Sequence, residues 1–222
     1  MLPAQTFHFQ KVGDWQWVQN HFGYFWSLSR THLYLALVSV LLGLIVALPL
    51  GILAVRVPRA SGPILTITTI LYSLPSLAVF GFLVSITGLT NNTVIIPLAF
   101  YATTILVRAV ADGLRSVPDD VRLAATAMGY RPYRRLATVE LPAALPVIVA
   151  GLRVATVASI SLVTVGALIG IGGLGKLFTD GEAIGFLTEI LAGVVLVLIW
   201  GLVFDGLLQL GGRLLTPWAR RT

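Results

Sequence analysis

Three stretches of this chain, Leu33–Val55, Ile64–Ile86 and Glu189–Gly212, are longer and more apolar than a buried helix of a soluble domain, and they carry almost no charge. A bilayer's hydrocarbon core takes roughly 20 helical residues to cross, and these tracts have that length. Composition agrees: of 222 residues, 57% are hydrophobic and 11% charged, where a soluble domain carries charge on about a quarter of its residues. The expected fold is all-α, a polytopic membrane bundle of about five transmembrane helices. No internal repeat or low-complexity linker divides it, so residues 1–222 read as one transmembrane domain.

The spans are expected at residues 32–55, 63–87, 93–111, 141–170 and 188–211. Ahead of them, residues 1–30 mix Trp15, Trp17, Phe22, Tyr24, Phe25 and Trp26 with polar residues, a composition suited to the headgroup layer; an anchored tail is the alternative. Asp14, the aromatics and the lack of a short apolar run with a small-residue cleavage site argue against a removable signal. Pro142, Pro146 and the glycines between 166 and 175 predict that the fourth span starts in the interface and ends in an irregular turn.

Orientation follows from the basic residues. With the N-terminus outside, Arg56, Arg59, Arg108, Arg115, Arg122, Arg131, Arg134, Arg135, Arg153, Arg213, Arg220 and Arg221 fall on one side, twelve of the 15 Lys and Arg. Lys11, Arg30 and Lys176 fall on the other. The positive-inside rule then puts the 112–140 loop and the C-terminus in the cytoplasm.

That loop is too long for a simple connection in a compact bundle. Ser116 and Asp119 have capping-box spacing, Pro118 suits a first helical turn, and Asp119 and Asp120 suit the positive end of a helix dipole. A short helix is expected from there to Met128, with Gly129 as its stop and Pro132 opening a second piece. Acids Asp112, Asp119, Asp120 and Glu140 nearly balance Arg115, Arg122, Arg131, Arg134 and Arg135, which argues against nucleic acid. A small-residue face with a methionine fits a groove on a partner protein; a solvated helix without a partner is the other reading.

Leu123-Ala124-Ala125-Thr126-Ala127-Met128-Gly129, followed by Glu140-Leu141-Pro142 and Leu145-Pro146, resembles the EAA loop of ABC importer permeases. Leu48-Pro49-Leu50-Gly51, Ser73-Leu74-Pro75-Ser76, Ala150-Gly151-Leu152-Arg153, Ile169-Gly170-Ile171-Gly172-Gly173-Leu174-Gly175 and Leu215-Thr216-Pro217-Trp218 extend the resemblance, most closely to osmoprotectant permeases. It implies a type I importer fold in a bacterial plasma membrane and import of glycine betaine, choline or carnitine. It also implies three protein partners: a cytoplasmic ATPase that binds ATP and Mg, a second permease subunit, and an external substrate-binding protein. By the same resemblance Asp120, Val121, Arg122, Leu123, Ala124, Ala125, Thr126, Ala127, Met128 and Gly129 dock on the ATPase as a coupling helix. The family usually has Glu at Leu123, and leucine cannot form that residue's charge-assisted hydrogen bond. A methionine-type permease shares the loop, and an ion-driven carrier is the reading from another class.

The chain itself is expected to do no chemistry and to hold no cofactor. It has no cysteine, so thiolate sites are excluded. His8, His21 and His32 lack ligand spacing, and no Ser or Thr has a base beside it in the spans. Gly170 to Lys176 spells G-x-x-x-x-G-K, but Leu177 replaces the magnesium-binding hydroxyl and no strand precedes it. Gly170, Gly172, Gly173 and Gly175 are instead expected to build a tight turn at an outer gate. Asp205 has two readings, a proton relay or a residue near the cytoplasmic end within reach of water or Arg213. Tyr72 and Tyr101, with Ser73, Pro75 and Ser76, are candidates to line a path for a quaternary ammonium, which is drawn to aromatic faces; packing between helices is the alternative.

Overall fold

The computed structural model describes residues 14–220, and His8 and Lys11 lie outside that range. A short helix α1 (Trp15–Asn20) leads into α2 (Phe22–Arg56), so residues 22–30 form the first turns of the first spanning helix. Trp17, ahead of the span, packs on the protein, its ring 5.6 Å from that of Phe25 and 5.0 Å from that of Phe186 in edge contacts, while Phe22 and Trp26 stay exposed.

The second span is two helices, α3 (Pro58–Ser73) and α4 (Ser76–Thr87), bent by 88°. Pro75 causes the break. It has no N–H to give and drives the preceding Leu74 to extended backbone, φ −69° and ψ 133°. The span expected over 63–87 is therefore two helices at a sharp bend, a broken span or a re-entrant loop.

Helix α5 (Asn91–Arg115) is the centre of the bundle, packed between α2 and α8 (Leu141–Val163). Without a hydrophobic drive between helices in lipid, close backbone approach supplies the packing. At Gly43, an added Cβ would stand 2.8 Å from Ala102 Cβ, so α2 and α5 cross in contact. Gly151 of α8 meets Ala109 of α5 more tightly still.

Beyond α5 stand α6 (Asp119–Ala127) and α7 (Pro132–Arg135). A π-helical turn, Leu136–Glu140, joins α7 to α8, and a 3-10 segment, Thr164–Ile169, ends the run. Pro132–Ile169 is thus one continuous rod of 38 residues. A glycine turn leads to α9 (Lys176–Ile184) and α10 (Leu187–Leu215), after which a 3-10 turn, Pro217–Arg220, follows. Among the described residues, four helical runs are long and apolar enough to span a membrane, five with the bent pair counted as one. Of the twelve arginines in the cytoplasmic tally, Arg108 and Arg153 lie inside α5 and α8 and Arg221 lies outside the described residues, which leaves nine in loops, short helices and helix ends.

Candidate functional site

Helix α6 departs from its expected start. Pro118 is its N-cap and makes no side-chain capping bond, while Ser116 Oγ donates to Gly113 O at 2.8 Å, so the capping box does not form. Its end is as expected. Gly129 takes φ +81°, where a Cβ would be strained, and its N–H reaches Thr126 O at 2.9 Å while Tyr130 N–H reaches Ala125 O at 3.1 Å. This Schellman end turns the chain sharply back toward α7.

One side of α6 lies against the protein. Ala125 is buried, Arg122 is half-buried with Nη2 donating to Leu114 O at 2.6 Å, and Thr126 Oγ1 accepts from Arg135 at 2.8 Å. The other side is open: Asp120, Val121, Leu123, Ala124, Ala127 and Met128 are exposed, Leu123 and Met128 by 67% and 69%. At 100° per residue these six share a continuous sector of the helix. The ten residues picked from sequence therefore divide by role: six face outward, Ala125, Arg122 and Thr126 anchor the helix, and Gly129 ends it.

Sequence reasoning missed what Arg135 does next. Its Nε donates to Glu140 Oε1 at 2.8 Å, and Arg56 Nη2 donates to Glu140 Oε2 at 2.9 Å, so the buried carboxylate is shared by two guanidiniums. Glu140 looked like one charge in a balanced loop; an acid opening an apolar span was the available signal, because such groups need partners.

The residues picked from sequence as candidates for a path gather around the α3–α4 break. Tyr101 is buried and its hydroxyl donates to Leu74 O at 2.9 Å, satisfying a carbonyl freed by the break. Tyr72 meets it edge-on, 5.9 Å between centroids and 90° between planes, with about half of Tyr72 exposed. Ser73 and Pro75 are exposed and Ser76 half-buried at the same break. Next to it, Gly62, Thr66, Thr69 and Ser73 run along one stripe of α3, and Arg108 of α5 donates to Thr69 Oγ1 at 2.7 Å across a groove of about 330 Å³. A guanidinium and hydroxyls on one open face require water or protein opposite, since hydrocarbon leaves them unsolvated.

Asp205 has a partner that neither sequence reading named. Arg153 of α8 holds it with two bonds, Nε to Oδ1 at 2.8 Å and Nη2 to Oδ2 at 2.7 Å. The sequence-based partner, Arg213, is replaced by a residue 52 positions away. This fork-to-fork pair borders a groove between α8 and α10.

The four glycines stand at the far end of the 38-residue rod. Gly170 and Gly173 adopt positive φ, +82° and +49°, and a Cβ on Gly173 would strike the His32 backbone at 2.7 Å. His32, passed over in the sequence, is fully buried and ties the turn down: Nε2 is 2.8 Å from Ile160 O, and Leu174 N–H points at Nδ1 from 3.3 Å. A neutral ring with the proton on Nε2 satisfies both. Leu177 is buried and Lys176 lies 3.9 Å from Asp180, so this segment is a folded turn rather than a phosphate cradle.

Residues 39–221 match the family described as the binding-protein-dependent transport system inner membrane component. The chain belongs to that family. Among curated relatives, the permease is 34% identical over 202 residues to the choline transport system permease protein OpuBB of Bacillus subtilis, covering 91% of this chain and 93% of that one. It is 32% identical over 186 residues to the glycine betaine/carnitine/choline transport system permease protein OpuCB of the same organism, covering 84% of this chain and 86% of the relative. Its fold superposes on a chain of the MetNI methionine ABC transporter, solved in inward-facing conformations, with a TM-score of 0.73 at 26% identity over 86% of this chain and 95% of that one. The permease therefore has the type I ABC importer fold, and its family works with an ATPase and a substrate-binding protein.

Proposed function

We propose that this permease carries quaternary-amine osmoprotectants, such as glycine betaine, choline and carnitine, into the cytoplasm of a bacterium. ATP and Mg are bound by a separate ATPase, and the chain itself catalyses nothing. The observation that carries the reading is the outward sector of α6, an apolar and small-residue surface on a helix anchored to the bundle by its other side. Such a surface fits a groove on an ATPase, with Leu123 supplying buried apolar area where the family's glutamate would supply a charge. Nine arginines in loops, short helices and helix ends on the α6 side support placing α6 and the C-terminus in the cytoplasm, with the N-terminus and the glycine turn outside. A second permease subunit, identical or not, would complete the pore.

The substrate reading is supported by the quaternary amines that the relatives' names specify and by the Tyr72–Tyr101 pair beside the polar groove. Ring faces attract a cation that has no N–H to donate. The site needs to be weak, since a permease must release what it passes.

Purified permease, ATPase and binding protein, reconstituted in vesicles, should take up labelled glycine betaine only with ATP, and excess methionine should not compete. Uptake driven by an ion gradient without the ATPase would point to a carrier and sink the reading. Competition by methionine and not by choline would reassign the substrate.

A further inference from the structure

We infer that Glu140 is the joint through which α6 moves the spans, a positioning residue for the coupling of ATP hydrolysis to transport. The inference rests on the proposed docking of α6 on an ATPase. A nine-residue helix held only by its chain connections would swivel when pushed, and the push would be lost. The structure gives it side-chain anchors on three spans. Arg122 ties it to the last turn of α5 through Leu114 O at 2.6 Å. Arg135 ties Thr126 of α6, at 2.8 Å, to Glu140 at the foot of α8, also at 2.8 Å. Glu140 then passes the link to Arg56, the last residue of α2, at 2.9 Å.

The chemistry of the joint suits this role. Both carboxylate oxygens are engaged, each by a different guanidinium, and the Glu140 side chain is 3% exposed. Away from water such charge-assisted bonds stretch little, because separating the partners leaves a buried charge uncompensated. The Leu136–Glu140 turn is π-helical, a local widening that occurs often at functional sites. It keeps α7 and α8 on one rod from Pro132 to Ile169, so displacement at Arg135 reaches the glycine turn that His32 pins at the other end.

The test measures ATP hydrolysed per glycine betaine imported by the reconstituted complex of permease, ATPase and binding protein. A residue that only holds the fold lowers hydrolysis and uptake together and leaves this ratio alone. Arg135→Gln cuts the α6 branch while Arg56 still pairs Glu140, so the fold is kept; Glu140→Gln loosens both branches. Each should raise ATP per betaine by about tenfold or more, the scale on which one charge-assisted bond acts. The ATPase should stay bound, and Glu140→Asp, which keeps the charge, should fall between them and the native protein. An unchanged ratio in both Gln variants, or loss of the ATPase from the Arg135→Gln complex, overturns the inference. Failure of the docking reading shows separately: Leu123→Asp and Met128→Asp, on the outward sector, would then leave the ATPase bound and uptake coupled.

Discussion

Replacing Tyr101 by Phe removes one oxygen atom and leaves the ring, so the apolar packing of α5 against the α3–α4 break is conserved. What is lost is the bond to Leu74 O, 2.9 Å long, at a carbonyl that the 88° bend has freed from helical pairing. Tyr101 is buried but Leu74 is 46% exposed, so water can take over part of the donor's role at that carbonyl. The loss is that of one ordinary hydrogen bond, about 1 kcal/mol, which shifts the folding equilibrium roughly fivefold. Tyr101→Ala removes the ring as well, adding the roughly 3–5 kcal/mol typical of a large aromatic truncation and the edge contact with Tyr72. Titration of the purified protein in mixed micelles with a denaturing detergent, followed by circular dichroism, should rank native above Phe above Ala with two separated midpoint shifts. If Phe unfolds with the native protein while Ala is lost, the hydroxyl is not sustaining the break, and the account of why α3 and α4 can hold that angle is wrong.

Gly129→Val tests backbone strain without a clash, since nothing lies within 4 Å of an added Cβ at φ +81°. It should cost about 1–2 kcal/mol locally, leave the spans folded by circular dichroism and lower uptake per ATP. Gly173→Ala should be worse, because its Cβ meets the His32 backbone at 2.7 Å as well as φ +49°; the measure is recovery of folded protein on size exclusion. Ala125→Arg forces a long cation into the buried side of α6 and should release the helix, read as faster protease cleavage between 116 and 131 with the bundle intact. For the Arg153–Asp205 pair, Arg153→Met alone should reduce membrane-inserted protein more than Arg153→Met with Asp205→Leu, since the double change leaves no lone charge. Equal losses would mean the charges are solvated separately.

Helix class and the number of apolar runs were legible because both follow from composition over windows as long as a bilayer is thick. The stop at Gly129 and the break at Pro75 depend on one residue's backbone limits, and the first of these was read directly. The second was within reach, since Ser73-Leu74-Pro75 carries the signal, but a 25-residue apolar tract outweighed it in a reading that counted lengths. The α6 cap went wrong for a local reason: Ser116 spends its hydroxyl on Gly113 O at the end of α5. Spacing cannot tell which of two adjoining helix ends a serine will serve.

The polar pairs were illegible for a deeper reason. Asp205 meets Arg153 across 52 residues, and Glu140 meets Arg56 across 84. Sequence shows that a charge inside an apolar run must have a partner, because hydrocarbon provides none; it does not show which of fifteen basic residues that will be. Topology decides, by packing α8 against both α2 and α10. The same fact explains where function concentrates in this fold. A bundle in lipid can be packed by close approach of small residues without charge, as Gly43 of α2 meets Ala102 and Thr103 of α5. A buried carboxylate adds little that such packing could not provide for stability. What it adds is direction, since Glu140 accepts from two identified donors at fixed angles and so fixes how three helices stand relative to one another. In a machine that must turn the motion of one helix into the opening of a path between others, that constraint is worth a buried charge.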